Sequence, residues 1–512
     1  MTRKRDAPED ASKVAMEIDD SPRKGTRTAA QGNETARPAH AHAAADDNDD
    51  EGMGEFEDQY EDEMEEEGEG DVIVGGSDDD DDENAMDLDE EEEESGAAAA
   101  PAFEVYLPGA PLAEGEELVA DNSTYEMLHS MGVEWPCLSF DILRDNLGSK
   151  RTAFPMTSYV VAGSQAELAK DNRIYIMKMS QMHRTKHDDG DGEEDDEDED
   201  LDEDPILESR TVPHAGSVNR IRVMPHPESH IVATWADTGK VHIWDLTDHV
   251  RSLDTPGLVP SRNPSPIYTV PTHRNEGYAL DWSTLQTGHL VTGDVQGKIY
   301  LTTRTPTAFT TDSKPFAGHT DSVEDLQWCP TRADVFASAS CDQTIKIWDT
   351  RLKQSQLSVK AHDSDVNVIS WHKTVDHLLA SGSDSGEFSI WDLRMWGPAA
   401  ASKTTPTPAA TFKWHQAAIT SIEWAPHESS ALAVSGADDQ LTLWDIGLER
   451  DEENADAGGG VITRDGVDVP PQLMFIHQGQ KDVKELHYHP QADGVLISTA
   501  LSGFNIFKTI NS

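Results

Sequence analysis

The chain has 512 residues and a formal net charge of −58, with only 36% hydrophobic residues. Three cysteines (Cys137, Cys329 and Cys341) cannot form a paired disulfide framework, and no apolar run reaches the roughly 18 residues of a membrane span. Secreted disulfide scaffolds and helical membrane proteins are thereby excluded, and a soluble intracellular chain is expected. So much acid also argues against direct nucleic-acid binding, which needs a basic face to displace counterions from phosphates.

In chain order, residues 1–100 read as a disordered, acidic N-terminal region. Two short basic clusters, Arg3-Lys4-Arg5 and Arg23-Lys24 to Arg27, would suit nuclear import. Residues 46–94 then hold 29 Asp or Glu and no Lys or Arg. Like charge at this density repels itself and resists packing. Phe56, Tyr60, Met64 and Val72–Val74 dot the tract, as in segments that order on a partner.

Residues 101–133 form an arm. Tyr125, Leu128 and Met131 fall at helical spacing behind the capping candidates Asn122 and Ser123, which predicts a short helix ended by Trp135-Pro136. Residues 134–512 then read as strands. The first group covers Cys137–Leu143, about 158–162, 173–179 and 206–212. A second acidic tract interrupts it at 188–204, with 14 acids and no bases.

Six further units follow, beginning at His214, His273, His319, His362, His415 and His477. In three of them, His319, His362 and His415, a Trp stands nine residues later, and a Trp-Asp pair (Trp348, Trp391 and Trp444) stands twenty-nine residues later. A fixed His-to-Trp-Asp frame with variable gaps is the signature of WD repeats. One degenerate blade plus six gives an all-β, seven-bladed WD-repeat β-propeller. The chain ends five residues after Phe507, too early for an outer strand in the last blade. Phe103–Leu107, or another part of the arm, is expected to supply that strand, because closure removes exposed sheet edges. Insertions at 247–266, 394–410 and 447–471 are expected as surface loops between blades, the last acidic and ending in Pro470-Pro471.

His319, Ser338, Asp342 and Trp348 include the residue types of a hydrolase triad. The register recurs from unit to unit whereas an active site occurs once, so these four are expected to be a structural tetrad. No Walker or dinucleotide glycine loop is present. The pairs His183/His187 and His487/His489 lack cysteine partners. No catalytic residue, metal or cofactor is therefore expected, and the chain reads as a non-enzymatic, monomeric platform. Its acidic tracts suit Lys- and Arg-rich proteins, such as ribosomal proteins or histones.

Two motifs are more specific than the repeats: segment 125–136, YEMLHSMGVEWP, and segment 470–477, PPQLMFIH. Both resemble the retinoblastoma-binding, chromatin-assembly class of WD proteins over about residues 120–512. The resemblance implies a side groove for a histone helix, involving Tyr125, Leu128, Pro470 and Pro471. It also implies a contact ring at the Trp-Pro pair and at the third and fifth positions after each blade's His. Those are Trp135, Pro136, Asn219, Glu276, Tyr278, Glu324, Asp365 and Asn367, while the His415 unit carries Ala418 and Thr420 instead. Carboxylates and aromatics at such positions suit an Arg- or Lys-bearing peptide.

With its long acidic N-terminus and the acidic insertion, the chain further resembles the glutamate-rich WD-repeat family, whose fungal members regulate ribosome biosynthesis. That likeness implies an escort chaperone for the third protein of the large ribosomal subunit, with pre-ribosomal particles as further partners. It implies work in the nucleus and nucleolus, with cytoplasmic shuttling. A histone chaperone is the first alternative. The second is a substrate receptor of a cullin-four ubiquitin ligase, since two units end in Trp-Asp-x-Arg (Arg351 and Arg394).

Overall fold

The computed structural model describes residues 121–185, 204–226, 230–397, 406–449, 463–464 and 467–510. The tract 46–94, segment Phe103–Leu107 and nearly all of 188–204 lie outside them. Seven four-stranded antiparallel sheets follow one another around a ring. Their inner strands are Cys137–Leu143, Val218–Val223, Ala279–Trp282, Val323–Trp328, Val366–Trp371, Ile419–Trp424 and Glu485–Tyr488.

Burial follows position within the blade. Second strands such as Ile231–Ala236 (IVATWA) are buried throughout, because neighbouring blades cover both faces. The outer strand Gln354–Lys360 instead carries exposed residues at Gln354, Gln356, Ser358 and Lys360, as expected of a sheet edge with one wet face. The apolar core is accordingly spread as clusters between blades, with Trp235, Trp282, Trp348, Trp391, Trp424 and Trp444 among the most buried side chains.

Segment 125–131 overturns the expected helix. Tyr125–Met131 is a strand, preceded by a single 3-10 turn, Asn122–Thr124, that Asp121 caps. It pairs antiparallel with Gly503–Thr509, Leu128 opposite Phe507 and Met131 opposite Phe504. Tyr125, Met127 and Met131 are buried, a period of two that the i, i+3 spacing of Tyr125, Leu128 and Met131 had masked. The arm thus supplies the outer strand of the seventh blade, and the N-terminal part of the chain closes the ring onto its C-terminal part.

The blades are tied by inner-strand side chains that accept backbone N–H groups of the next blade. Asp141 accepts from Val223 (2.7 Å), Asp281 from Trp328 (2.7 Å) and Asp325 from Ile369 (3.0 Å). Ser370 accepts from Trp424 (3.3 Å), and Glu423 from Tyr488 (3.2 Å). Glu485 completes the circle, accepting from Phe140 of the first blade at 2.8 Å. Between blades two and three the side-chain and backbone roles are exchanged, and the Trp282 indole donates to the Arg222 carbonyl at 3.1 Å.

Within the fourth blade, His319 Nδ1 lies 2.8 Å from Asp342, its Nε2 lies 2.6 Å from Ser338 Oγ, and the Trp348 indole donates to the same Oγ at 2.8 Å. The arrangement repeats around the ring. His362, Ser381 and Trp391 reproduce it, as do His214, Thr234 and Trp244. In the sixth blade Thr442, on the third strand, takes the serine's place between His415 and Trp444.

Strict antiparallel order gives the ring two distinct ends. One, the His end, carries the loops that lead into inner strands. The other carries every connection between third and fourth strands. The three insertions leave and rejoin the sheets at this second end, inside blades two, five and six and not between blades as their spacing suggested. The first is not wholly loop either. Thr247–Asp254 is an α-helix whose Val250 and Leu253 pack on the first blade, with Asp254 accepting from the Tyr159 hydroxyl at 2.8 Å. Eight residues of mixed polarity were too short for the helical period to show.

Candidate partner-binding face and central channel

The His end gathers the expected contact ring. Trp135 and Pro136, both half-buried, sit where the closing strand crosses to the first inner strand, and the Pro136 carbonyl accepts from Gln165 at 2.8 Å. Glu276, Tyr278, Glu324, Asp365 and Asn367 are half-buried at or just before the starts of inner strands. Gly277, between Glu276 and Tyr278, leaves no room for a side chain, since a Cβ there would run into the Trp235 indole and the Gly293 carbonyl.

The ring positions differ in what they have free. Asn219 is buried and donates to the Gly277 carbonyl at 3.3 Å; Asn367 does the same to Ile419 at 3.4 Å. Both asparagines therefore pin one blade to the next, which limits what they can offer a partner. Glu324 and Asp365 instead converge on Cys341, whose Sγ donates to Glu324 at 3.3 Å. Burial, then the Glu324 and Asp365 carboxylates, push that thiol far above its ordinary range. Two carboxylates a blade apart are the strongest feature here for a Lys or Arg side chain.

The side-groove residues separate. Tyr125 is a core residue, with its hydroxyl 2.8 Å from His477 Nδ1 and its ring edge-on to Phe475. Leu128 packs against the same cluster. Tyr125 is buried and Leu128 half-buried, both on a strand where a helix was expected. Pro470 is half-buried and Pro471 exposed, directly before the outer strand Leu473–His477. Beside that strand opens a cavity of about 90 Å3, lined by Met474, Phe475 and Tyr488 together with Glu428, Asp445 and Asp493. An apolar floor with three carboxylates suits an apolar side chain flanked by cations.

Residue spacing did not single out the central channel. Its wall carries Arg220, Arg222, Asp281, Asp325, Glu423 and His487 around a space of about 70 Å3. Glu485 Oε1 lies 2.6 Å from both Arg220 and Arg222, and Lys373 lies 2.8 Å from Glu423. Burial opposes charge on Glu485, but the two arginines outweigh it and hold the carboxyl well below its usual range. Burial likewise opposes charging of His487, yet Glu423 and Glu485 lift it to about 9. The readable signal was ionisable residues six and eight positions after the blade histidines, on otherwise apolar strands.

At Asp281 the surrounding cations are too weak a counterweight, and burial pushes the carboxyl up to about 7. Its raised pKa favours the folded state at low pH, where the carboxyl is protonated in both states. That advantage is lost as pH rises from the ordinary carboxylate range through about 7. Asp281→Asn keeps an acceptor for the Trp328 N–H. The variant is expected to match the parent near pH 4 and to exceed its stability at pH 8 by about 1–2 kcal/mol. Urea unfolding at the two pH values checks it, and equal gains at both would refute the assignment.

Known proteins share both the repeat and the closing segment. A family model that describes the histone-binding protein RBBP4 and its counterpart in the CAF1 complex matches residues 115–183. Models of the WD domain, G-beta repeat, match 311–349, 353–392 and 406–445. The ribosome assembly protein rrb1 of Schizosaccharomyces pombe is 49% identical over 412 residues, which covers 79% of this chain and 84% of that one. The protein HEAT STRESS TOLERANT DWD 1 of Arabidopsis thaliana is 49% identical over 435 residues, covering 80% and 91%. Glutamate-rich WD repeat-containing protein 1 of Dictyostelium discoideum is 48% identical over 416 residues, covering 78% and 84%.

Proposed function

Because the chain belongs to the WD-repeat family that includes ribosome assembly protein rrb1 and glutamate-rich WD repeat-containing protein 1, we propose that it is a ribosome-assembly factor working as a non-enzymatic escort chaperone. Its client in this reading is a newly made basic protein of the large ribosomal subunit, the third. The chain keeps it soluble and hands it to pre-ribosomal particles in the nucleus and nucleolus. The observation that carries the reading is the near-half identity to a ribosome assembly protein, joined to 43 acidic residues concentrated in two tracts. Glu324 and Asp365 at the His end, and the acid-lined cavity beside Leu473–His477, offer structured sites for cationic side chains. The tracts add long-range attraction that holds the remaining positive surface away from RNA.

A histone chaperone is the second reading, favoured by the histone-binding family match over 115–183. The cullin-four reading has less support. Arg351 and Arg394 are each held by their own Asp349 and Asp392 at 2.6 Å, which gives both a local role.

The test is retention on the immobilised full chain, at rising salt, of the third large-subunit protein and of histones H3 and H4. The ribosomal protein is expected to remain bound at salt that removes the histones. Deleting 46–94 and 188–204 should flatten the salt dependence and let the client precipitate. Stronger retention of histones would favour the second reading. Unchanged solubility and salt sensitivity after the deletion would remove the tracts from the mechanism.

A further inference from the structure

Eleven of the chain's twelve tryptophans are buried, and Trp135 is the exception. Nine of the eleven give the indole N–H to a protein acceptor, as Trp244 does to Thr234 and Trp444 to Thr442. Half-buried Trp135 has no such acceptor among the described residues. A tryptophan left partly in water with an idle donor is the residue type that anchors interfaces, since it offers a large apolar area with one polar handle.

The crossing segment 132–136 runs at the His end between two hairpin loops, and each carries an exposed leucine. On the blade-one side, the Gln165 N–H donates to the Pro136 carbonyl at 2.8 Å, and Leu168 of the same loop is 52% exposed. On the blade-seven side, the Thr499 hydroxyl donates to the Cys137 carbonyl at 3.0 Å, two residues before Leu501, which is 61% exposed. Gly503 of that hairpin sits so close to the crossing segment that a Cβ on it would lie 2.5 Å from the Met131 carbonyl. Both loops are preformed. Buried Asn172 accepts from the Ala166 N–H at 2.7 Å, and the Leu501 N–H donates to the Lys481 carbonyl at 3.0 Å. A Cβ on Gly132 would meet nothing within 4 Å, so the crossing segment is open to a ligand there. Such fixed loops lower the ordering cost of binding.

Charge indicates what the row takes. Glu134, Glu167, Lys170 and Lys481 stand exposed on these same loops, two of each sign, so the row carries no excess charge of its own. The unbalanced acid of the contact ring lies across the His end, at Glu276, Glu324 and Asp365 of blades three to five. An apolar, neutral row on one side and carboxylates on the other fit a segment with a large apolar side chain at one end and lysine or arginine further along.

We propose that Trp135, Leu168 and Leu501 form an apolar subsite at the junction of blades seven and one. It seats a leucine-sized or larger apolar side chain of a bound basic segment, whose cations reach Glu324 and Asp365. The Trp135 indole donates to a backbone carbonyl of that segment. That the segment belongs to a ribosomal protein rests on the escort reading; the subsite rests on the position of the three side chains.

The test uses the full chain and three synthetic peptides that share one lysine- and arginine-rich sequence and carry Leu, Ser or Lys at both ends. Fluorescence anisotropy of labelled peptide at physiological salt reads binding. The Leu peptide is expected to bind about tenfold more tightly than the Ser peptide. The surface variant Leu168→Ser/Leu501→Ser should remove most of that preference. Glu324→Gln/Asp365→Asn should weaken all three peptides and hold the Leu-to-Ser ratio within about twofold. Acrylamide quenching gives a second readout, because Trp135 is the accessible indole. The Leu peptide should shield it, and Trp135→Phe should remove the quenchable fraction. Equal affinity of the Leu and Ser peptides, a preference untouched by the double variant, or quenching that the Leu peptide leaves unchanged would each overturn the proposal. A Lys peptide that equals the Leu peptide would make the site one for cations over the Trp135 ring and overturn it as well. A chain that prefers the Leu peptide but fails to retain the ribosomal protein would sink the escort reading and leave the subsite standing. Retention of the ribosomal protein by a chain indifferent to the end residue would do the reverse.

Discussion

Glu485→Ala is expected to cost about 3–5 kcal/mol of folding stability, because it strips the partner from two arginines already withdrawn from bulk water. The Glu485 side chain is 1% exposed, and Arg220 and Arg222 are 14% and 17% exposed. Its second oxygen accepts from the Phe140 N–H at 2.8 Å and from the Ser139 hydroxyl at 2.7 Å. One carboxylate of blade seven therefore holds backbone of blade one and two cations of blade two. Glu485→Gln retains an acceptor for Phe140 but loses the charge and turns an amide NH2 towards the arginines, so it should fall between parent and alanine. Replacing the cluster together, as Glu485→Leu with Arg220→Met and Arg222→Met, should recover only part of the loss, since Asp141, Asp281 and Asp325 also lean on these arginines and the Phe140 N–H loses its acceptor. Chemical denaturation of the four proteins measures this. A loss below about 1 kcal/mol for Glu485→Ala would mean that water reaches the arginines freely. The sign with pH follows from the depressed carboxyl: its contribution is complete above the ordinary carboxylate range and is lost as pH falls through the folded-state value.

The repeat frame was legible because it is built from side chains that must meet. A His on one loop reaches Ser338 or its counterpart, and a Trp on the third strand reaches the same oxygen, so their spacing barely varies. Counting past each His likewise found Glu324 and Asp365, which the fold brings together at Cys341. It did not reveal that Asn219 and Asn367 have carbonyl partners in the next blade, because a contact between blades leaves no fixed spacing within one. The same limit hid the channel. Arg220 and Glu485 are 265 residues apart and meet only because the ring closes. Segment 125–131 failed for a different reason: seven residues fit both periods, and its pairing partner lies at the far end of the chain. The insertions were read as separators between repeats because the Trp-Asp pair ends the sequence unit. The structural blade ends one strand later.

Removing the chain through Pro136 is expected to abolish cooperative unfolding and drive association. Without Tyr125–Met131, the strand Gly503–Thr509 becomes a free edge along the register from Phe504 to Thr509. A long unpaired edge of this kind recruits other chains. Burial is lost as well: Met127 is wholly buried, and Tyr125 and Met131 are 5% and 7% exposed, each worth about 1.5–3 kcal/mol. The hydrogen bond from Tyr125 to His477 goes too, and with it a tie between blades six and seven. Light scattering and thermal unfolding of the truncated chain provide the measurement, and a peptide covering 121–136 supplied in trans should restore both the parent's scattering and its transition. A truncated chain that stays monomeric with the parent transition would show that six blades and a three-stranded seventh suffice. The closing strand leads directly into Trp135 and Pro136, so rescue by the peptide should return the contact ring's first member together with the fold. A point variant in the strand separates the two effects: Met127→Asp breaks closure while leaving Trp135 and Pro136 in the chain. If it loses peptide binding at the His end as fully as the truncation does, the ring's shape rather than the Trp-Pro pair sets that affinity.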